Sequence, residues 1–179
     1  MKGTEVLMAG FGGQGMLLAG KILAHAAMSR GLQVSWLPSY GPEMRGGTAN
    51  ASVIASEGVI GAPVVDQPNV LIAMNAPSLD AFEPEMEPGG LAIVNASLIS
   101  RTLERGDLRA IYVPATDMAN RLGSTATASV IMLAVYAAAT GVVRIETLEK
   151  VIPHSLTTKD LIEVNLKAVG AGVDFVRRS

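Results

Sequence analysis

Gly10-Phe11-Gly12-Gly13-Gln14-Gly15 places four glycines in six residues and fits G-x-G-x-x-G. The run follows the apolar stretch Glu5–Ala9, too short for a helix, and precedes the helix-patterned stretch Met16–Arg30, where Lys21, His25 and Arg30 recur at four- to five-residue intervals. A strand, a glycine turn and a helix in that order commit the chain to layered α/β packing. Gly31 is placed to end the helix. Leu32–Leu37 then alternates with period two and reads as a second strand. The first forty residues are therefore a βαβ unit, with both strands parallel in one sheet and a right-handed connection.

The pattern continues beyond it. Strands are expected at Asn50–Ala55, Asn69–Met74, Leu91–Val94 and Ile111–Val113, with a short helix at Ser78–Phe82 after Pro77. From Ala115 onward no strand is predicted, and helices are expected at 115–122, 125–140, 145–151 and 158–170. The expected fold is α/β: a Rossmann-like, mostly parallel sheet flanked by helices, with a helical C-terminal third. No linker or repeat divides the chain, so residues 1–179 read as one domain. Ala126–Val143 carries no charge and imitates a membrane span, but its many alanines and small polar residues predict a buried helix instead. Six acids and no base lie between Gly46 and Ser100, which predicts a solvated acidic face, with a docking surface as the other reading.

Composition removes several kinds of chemistry. The chain has no cysteine, so it supplies no disulfide, thiol nucleophile or iron–sulfur ligand. Its two histidines, His25 and His154, stand in no metal-binding spacing and read as structural or solvent-facing. A net charge of -2 argues against a basic nucleic-acid binder. No signal peptide is visible, and the absence of cysteine points to the cytoplasm. Neither a metal site nor a catalytic residue is predicted.

Two loops remain as candidate site. In the first, Gly10 suits the tight turn, Gly12 the close approach of a phosphate, and Gly15 close helix–strand packing. The helix start behind it offers free N–H groups to an anion. A dinucleotide site wants an acid at the end of the second strand, where this chain has Ser35, Trp36, Leu37 and Pro38. The glycines thus serve the fold alone, a subunit contact, or a phosphate-bearing ligand, with a dinucleotide least favoured. The second loop is Pro38-Ser39-Tyr40-Gly41-Pro42-Glu43-Met44-Arg45-Gly46-Gly47-Thr48. It is expected at the same carboxyl edge of the sheet, where open α/β sheets bind ligands. Arg45 suits a phosphate or carboxylate; an internal Glu43–Arg45 ion pair that orders the loop is the alternative.

Together these segments, 10–24 and 38–50, resemble the gamma subunit of 2-oxoacid:ferredoxin oxidoreductases, and the Tyr-Gly-Pro-Glu-Met-Arg-Gly-Gly-Thr form is most similar to the 2-oxoglutarate branch. The chain departs from that pattern at Ala51, where relatives are expected to carry cysteine. The resemblance implies a subunit of an enzyme that oxidatively decarboxylates a 2-oxoacid, forms an acyl-coenzyme A and reduces ferredoxin. It implies alpha, beta and ferredoxin-like delta partners, which would carry thiamine diphosphate, magnesium and the iron–sulfur clusters. It implies that this chain closes over the active site and helps bind coenzyme A. The residues it marks are Gly10, Gly12, Gly13, Gln14, Gly15, Tyr40, Gly41, Glu43, Arg45, Gly46 and Gly47. The isolated chain is then expected to be inactive, and stripped of partners it could pair with a second copy. A stand-alone nucleotide-binding Rossmann protein and a purely structural subunit without ligand are the alternatives.

Overall fold

The computed structural model describes residues 3–40 and 48–178. β1 (Thr4–Phe11) leads through the glycine turn into α1 (Met16–Met28), and the chain returns along β2 (Gln33–Tyr40). β3 (Thr48–Ser56), β4 (Val70–Ala73), α2 (Ala76–Phe82), β5 (Leu91–Asn95) and β6 (Arg109–Val113) follow. The remainder is helical: α3 (Ala115–Arg121), a single 3-10 turn at Thr125–Thr127, α4 (Ala128–Thr140), α5 (Ile145–Ser155) and α6 (Lys159–Arg178).

The six strands form one sheet in the order β2-β3-β1-β4-β5-β6. β1, β4, β5 and β6 are parallel. β3 alone runs against its neighbours and separates β2 from β1. Two antiparallel pairings in succession leave β1 and β2 pointing the same way, as the βαβ reading requires. The hairpin return of β3 between them is what the sequence pattern does not announce.

Alternation along the strands sends side chains to two different cores. Val6, Met8, Ile72 and Ile93 face α1, α4 and the C-terminal helices. Leu7, Ala9, Leu71 and Val94 face α2 and the connection after β5, through Leu79 and Ile99. Both faces are covered, which is why these strands read as continuous apolar runs.

The uncharged stretch from Ala126 resolves as α4, with every residue from Ala128 to Ala137 buried. A helix packed on all sides has no need of a polar face. Among the described residues no helix is long and apolar enough to cross a membrane. α6 crosses α4 at Gly172, where a Cβ would come within 2.6 Å of the Ile131 carbonyl oxygen. α6 also runs on to Arg178, eight residues beyond the expected 170, because its amphipathic stripe continues through Val173 and Val176 onto the core.

Candidate functional site

The strand register brings the two sequence loops together. Phe11 pairs with Thr48, and Ala49 pairs with both Gly10 and Tyr40. β2 therefore ends at Tyr40 and β3 begins at Thr48, both next to the glycine turn in the register. Tyr40 is the last residue of β2. Gly41, Glu43, Arg45, Gly46 and Gly47 lie outside the described residues, and with them the expected Glu43–Arg45 pair.

Gly12 and Gly13 are exposed at this edge, while Gln14 and Gly15 are half-buried. Gln14 holds the turn closed. Its Oε1 accepts from the Phe11 backbone N–H at 2.7 Å and from Asn75 Nδ2 at 3.1 Å. Two donors on one oxygen fix which end of the amide is which, leaving Gln14 Nε2 as a donor.

Gly15 has φ 80, a left-handed conformation that favours glycine. A Cβ there would stand 2.5 Å from Ser129 Oγ and 3.2 Å from the Ala126 carbonyl oxygen. The expected role of Gly15 in helix–strand packing is thus corrected: Gly15 lies against the start of α4. Close approach of α1 to the sheet falls to Gly20, whose Cβ would meet Ala51 Cβ and Trp36 Nε1 at 3.0 Å.

This contact brings two helix N-termini together. Neither α1 nor α4 has a side-chain cap or an acid in its first turn. The first turn of α1 presents N–H groups and a positive dipole end, which suits an anion, whereas α4 continues the 3-10 turn, whose Thr125 carbonyl accepts the Ala128 N–H. The Ser129 hydroxyl between them is 1% exposed and has no hydrogen-bond partner among the described residues.

Sequence reasoning missed the buried amides that frame this edge. Asn75 follows β4 and caps α2, its Oδ1 accepting from the Ser78 N–H at 2.9 Å. Asn95 ends β5; its Nδ2 donates to the Met74 carbonyl and to Thr116 Oγ1, and its Oδ1 accepts from the Thr116 N–H. These contacts link the ends of β1, β4 and β5 with the starts of α2 and α3. The signal for Asn75 was present, since Asn before Ala-Pro is a helix-start signature. Asn95 had none beyond its place at a strand end.

The histidines lie away from this edge. His25 is nine residues past the start of α1, roughly 14 Å along its axis, and lines a groove with His154, Met28 and Val151. Among the described residues no cluster of three metal-ligating side chains exists.

The acidic stretch is not wholly a solvated face. Glu83 is 2% exposed and accepts from the Glu104 and Arg105 backbone N–H groups and from Arg101 Nη1. Burial pushes its carboxyl up, but the hydrogen bonds from Arg105, Arg101 and Glu104 together outweigh it and hold the group below its usual range. The partners come from just beyond residue 100, so counting charge within 46–100 hid them.

The family model for pyruvate ferredoxin/flavodoxin oxidoreductase matches residues 5–175. This chain belongs to that family. Ketoisovalerate oxidoreductase subunit VorA of Methanothermobacter marburgensis is 41% identical over 98% of this chain, which spans only 37% of that relative's length. The 2-oxoglutarate synthase subunit KorC of the same organism is 34% identical and matches end to end, over 96% of both chains. Among solved structures, a keto/oxoacid ferredoxin oxidoreductase gamma subunit from Geobacter sulfurreducens superposes with a TM-score of 0.85 at 31% identity, covering 98% of this chain and 99% of that one. The 2-oxoglutarate:ferredoxin oxidoreductase of Magnetococcus marinus, solved with 2-oxoglutarate, coenzyme A and succinyl-CoA bound, shares the fold with a TM-score of 0.90 at 21% identity. This chain covers 32% of that longer chain and is itself covered in full. The family fold thus occurs both as a separate chain and as part of a longer one.

Proposed function

We propose that this chain is the gamma-type subunit of a 2-oxoacid:ferredoxin oxidoreductase, folded as one domain over residues 1–179, and that its carboxyl edge closes over the active site and holds coenzyme A. The observation that carries the reading is the junction of Gly15 with Ser129, where the uncapped start of α1 meets α4 near Tyr40 and Thr48, the residues that flank 41–47. Coenzyme A carries a pyrophosphate and a further phosphate, the charge such an edge suits. Gly10, Gly12, Gly13, Gln14 and Gly15 supply the backbone of the cleft. Tyr40, Gly41, Glu43, Arg45, Gly46 and Gly47 supply its second wall, with Arg45 as the charged contact.

Thiamine diphosphate, magnesium and iron–sulfur clusters belong to the alpha, beta and delta partners in this reading. A chain with no cysteine has no cluster ligand to offer. The complex works in the cytoplasm and passes its electrons to ferredoxin. The isolated chain performs no chemistry.

The substrate in this reading is 2-oxoglutarate, supported by the end-to-end match with KorC. Ketoisovalerate is the second reading, favoured by the higher identity to VorA. The test is purification of the assembled complex and assay with both acids, coenzyme A and ferredoxin. Faster turnover of 2-oxoglutarate, with an Arg45→Ala complex needing more coenzyme A for half-maximal rate, supports the reading. Elution of the chain alone overturns the subunit role, and an unchanged coenzyme A requirement removes Arg45 from it.

A further inference from the structure

α3 and α6 both pack on α4. They leave a slot of about 520 Å³ between their outer faces. Pro114, Met118 and Leu122 line it from the α3 side at spacings of four, and Ala171 and Phe175 from α6, also four apart. Stripes at this spacing run along each helix face, the pattern against which the apolar ridge of a further helix packs. Met118, Leu122 and Phe175 are half-buried and rest on the main core, so the trough has a firm apolar floor.

Its rim is basic. Arg121 ends α3 and Arg178 ends α6, and both are exposed. Neither has an ion-pair partner among the described residues. Asp174, the one acid lining the slot, is partnered by Arg177 at 3.9 Å. Among the described residues, Arg121 and Arg178 thus leave positive charge without an ion-pair partner at the apolar trough of a chain whose net charge is -2.

We infer that this slot seats an acidic, amphipathic helix of a partner subunit. Its apolar ridge lies on Met118, Leu122 and Phe175, and its carboxylates face Arg121 and Arg178. The apolar floor supplies burial, while the arginines set orientation and speed encounter. A protein occupant is favoured because the VorA and Magnetococcus chains carry this same domain tethered to further polypeptide. The proposal rests on the subunit reading and adds to it a docking face remote from the glycine loops in sequence.

Two measurements on the assembled complex test it. The first replaces Leu122 with the photo-crosslinking residue p-benzoylphenylalanine and maps the attached peptide after irradiation. The expected peptide belongs to a larger subunit and carries Asp or Glu together with apolar residues three or four apart. Attachment to a second copy of this chain, to a peptide without acids, or to nothing overturns the proposal. The second is the affinity of the chain for its partner subunits. Arg121→Glu with Arg178→Glu should weaken it by about tenfold or more in low salt, with the gap narrowing as salt rises. Arg144→Glu with Lys150→Glu changes the net charge equally at α5, none of whose residues line the slot, and should leave affinity unchanged. Equal assembly of the Arg121→Glu/Arg178→Glu chain overturns the docking proposal alone. A wild-type chain that elutes without larger subunits overturns the subunit reading and takes this proposal with it.

Discussion

Asn75 and Gln14 stand 61 residues apart in sequence, yet Asn75 Nδ2 donates to Gln14 Oε1 at 3.1 Å. The same Gln14 oxygen accepts from the Phe11 N–H, and the same Asn75 caps α2. The shape of the glycine turn is therefore tied to the end of β4. Asn75→Ala removes the cap and takes away one of the two donors to Gln14 Oε1. We expect a stability loss of about 1–2 kcal/mol, read from the denaturant midpoint of the isolated chain. In the complex, Gln14→Ala should raise the coenzyme A concentration for half-maximal rate and leave the maximal rate nearly intact. An unchanged requirement would remove the glycine turn from coenzyme A binding.

Gly15 faces two constraints at once, a φ of 80 and the Ser129 hydroxyl. Gly15→Ala should cost about 1–3 kcal/mol, combining left-handed strain with overpacking. Adding Ser129→Gly should recover only part of the loss, because the backbone strain and the nearby Ala126 carbonyl remain. Thermal melts of the two single variants and the double variant give the comparison. Full recovery would show that crowding alone matters there.

Glu83 links acid stability to the loop after β5. Its carboxyl titrates below the usual 4.5 in the folded chain. A depressed folded value stabilises above the unfolded value, and that contribution is lost as pH falls through the folded one. Wild-type stability should therefore drop below about pH 4.5. Glu83→Gln should remove this part of the acid dependence and destabilise at neutral pH by about 3 kcal/mol, because the Arg101 and backbone donors lose a buried charge. Asp80, whose side chain is 61% exposed, pairs with the same Arg101. Asp80→Asn should scarcely move the midpoint, since exposed pairs contribute little.

Tyr136 reports the opposite limb of the pH profile. Burial is the main reason its hydroxyl is pushed up to about 12. Its oxygen lies 3.0 Å from Thr4 Oγ1, joining α4 to the start of β1. A phenol held neutral in the fold but free to ionise when unfolded stabilises below pH 10, and the contribution fades as pH rises from 10 toward 12. Tyr136→Phe should cost about 1 kcal/mol at neutral pH and flatten stability over that alkaline window. Guanidinium titrations at pH 7 and at alkaline pH would show it.

The layer order was legible because buried parallel strands and the glycine turn each leave a local mark. Glu5–Ala9, Leu91–Val94 and the uncharged 126–143 stretch all led to the right elements. What stayed hidden depends on pairing between distant segments. β3 gives no local sign that it runs antiparallel between β1 and β2. Gly15 matches a familiar motif, yet its neighbour is Ser129, 114 positions on. The glycines mark the candidate edge in the sequence, whereas Asn75 and Asn95 look ordinary until the strands bring Asn95 onto the Met74 carbonyl next to Asn75.

The strand order also has a temporal side. Of the six strands β1 is made first, with Val6, Leu7, Met8 and Ala9 all destined for burial, but its first strand partner begins at Thr48 and its second at Val70. At the usual pace of synthesis the gap to Thr48 lasts roughly 2–9 s. For that interval α1 is the one described element of the sheet's partner layers already made that can cover this apolar ribbon. The newborn chain is therefore most exposed to aggregation before the β2–β3 hairpin arrives, so a mutation that delays that hairpin should lower the yield of soluble protein more than its effect on final stability suggests.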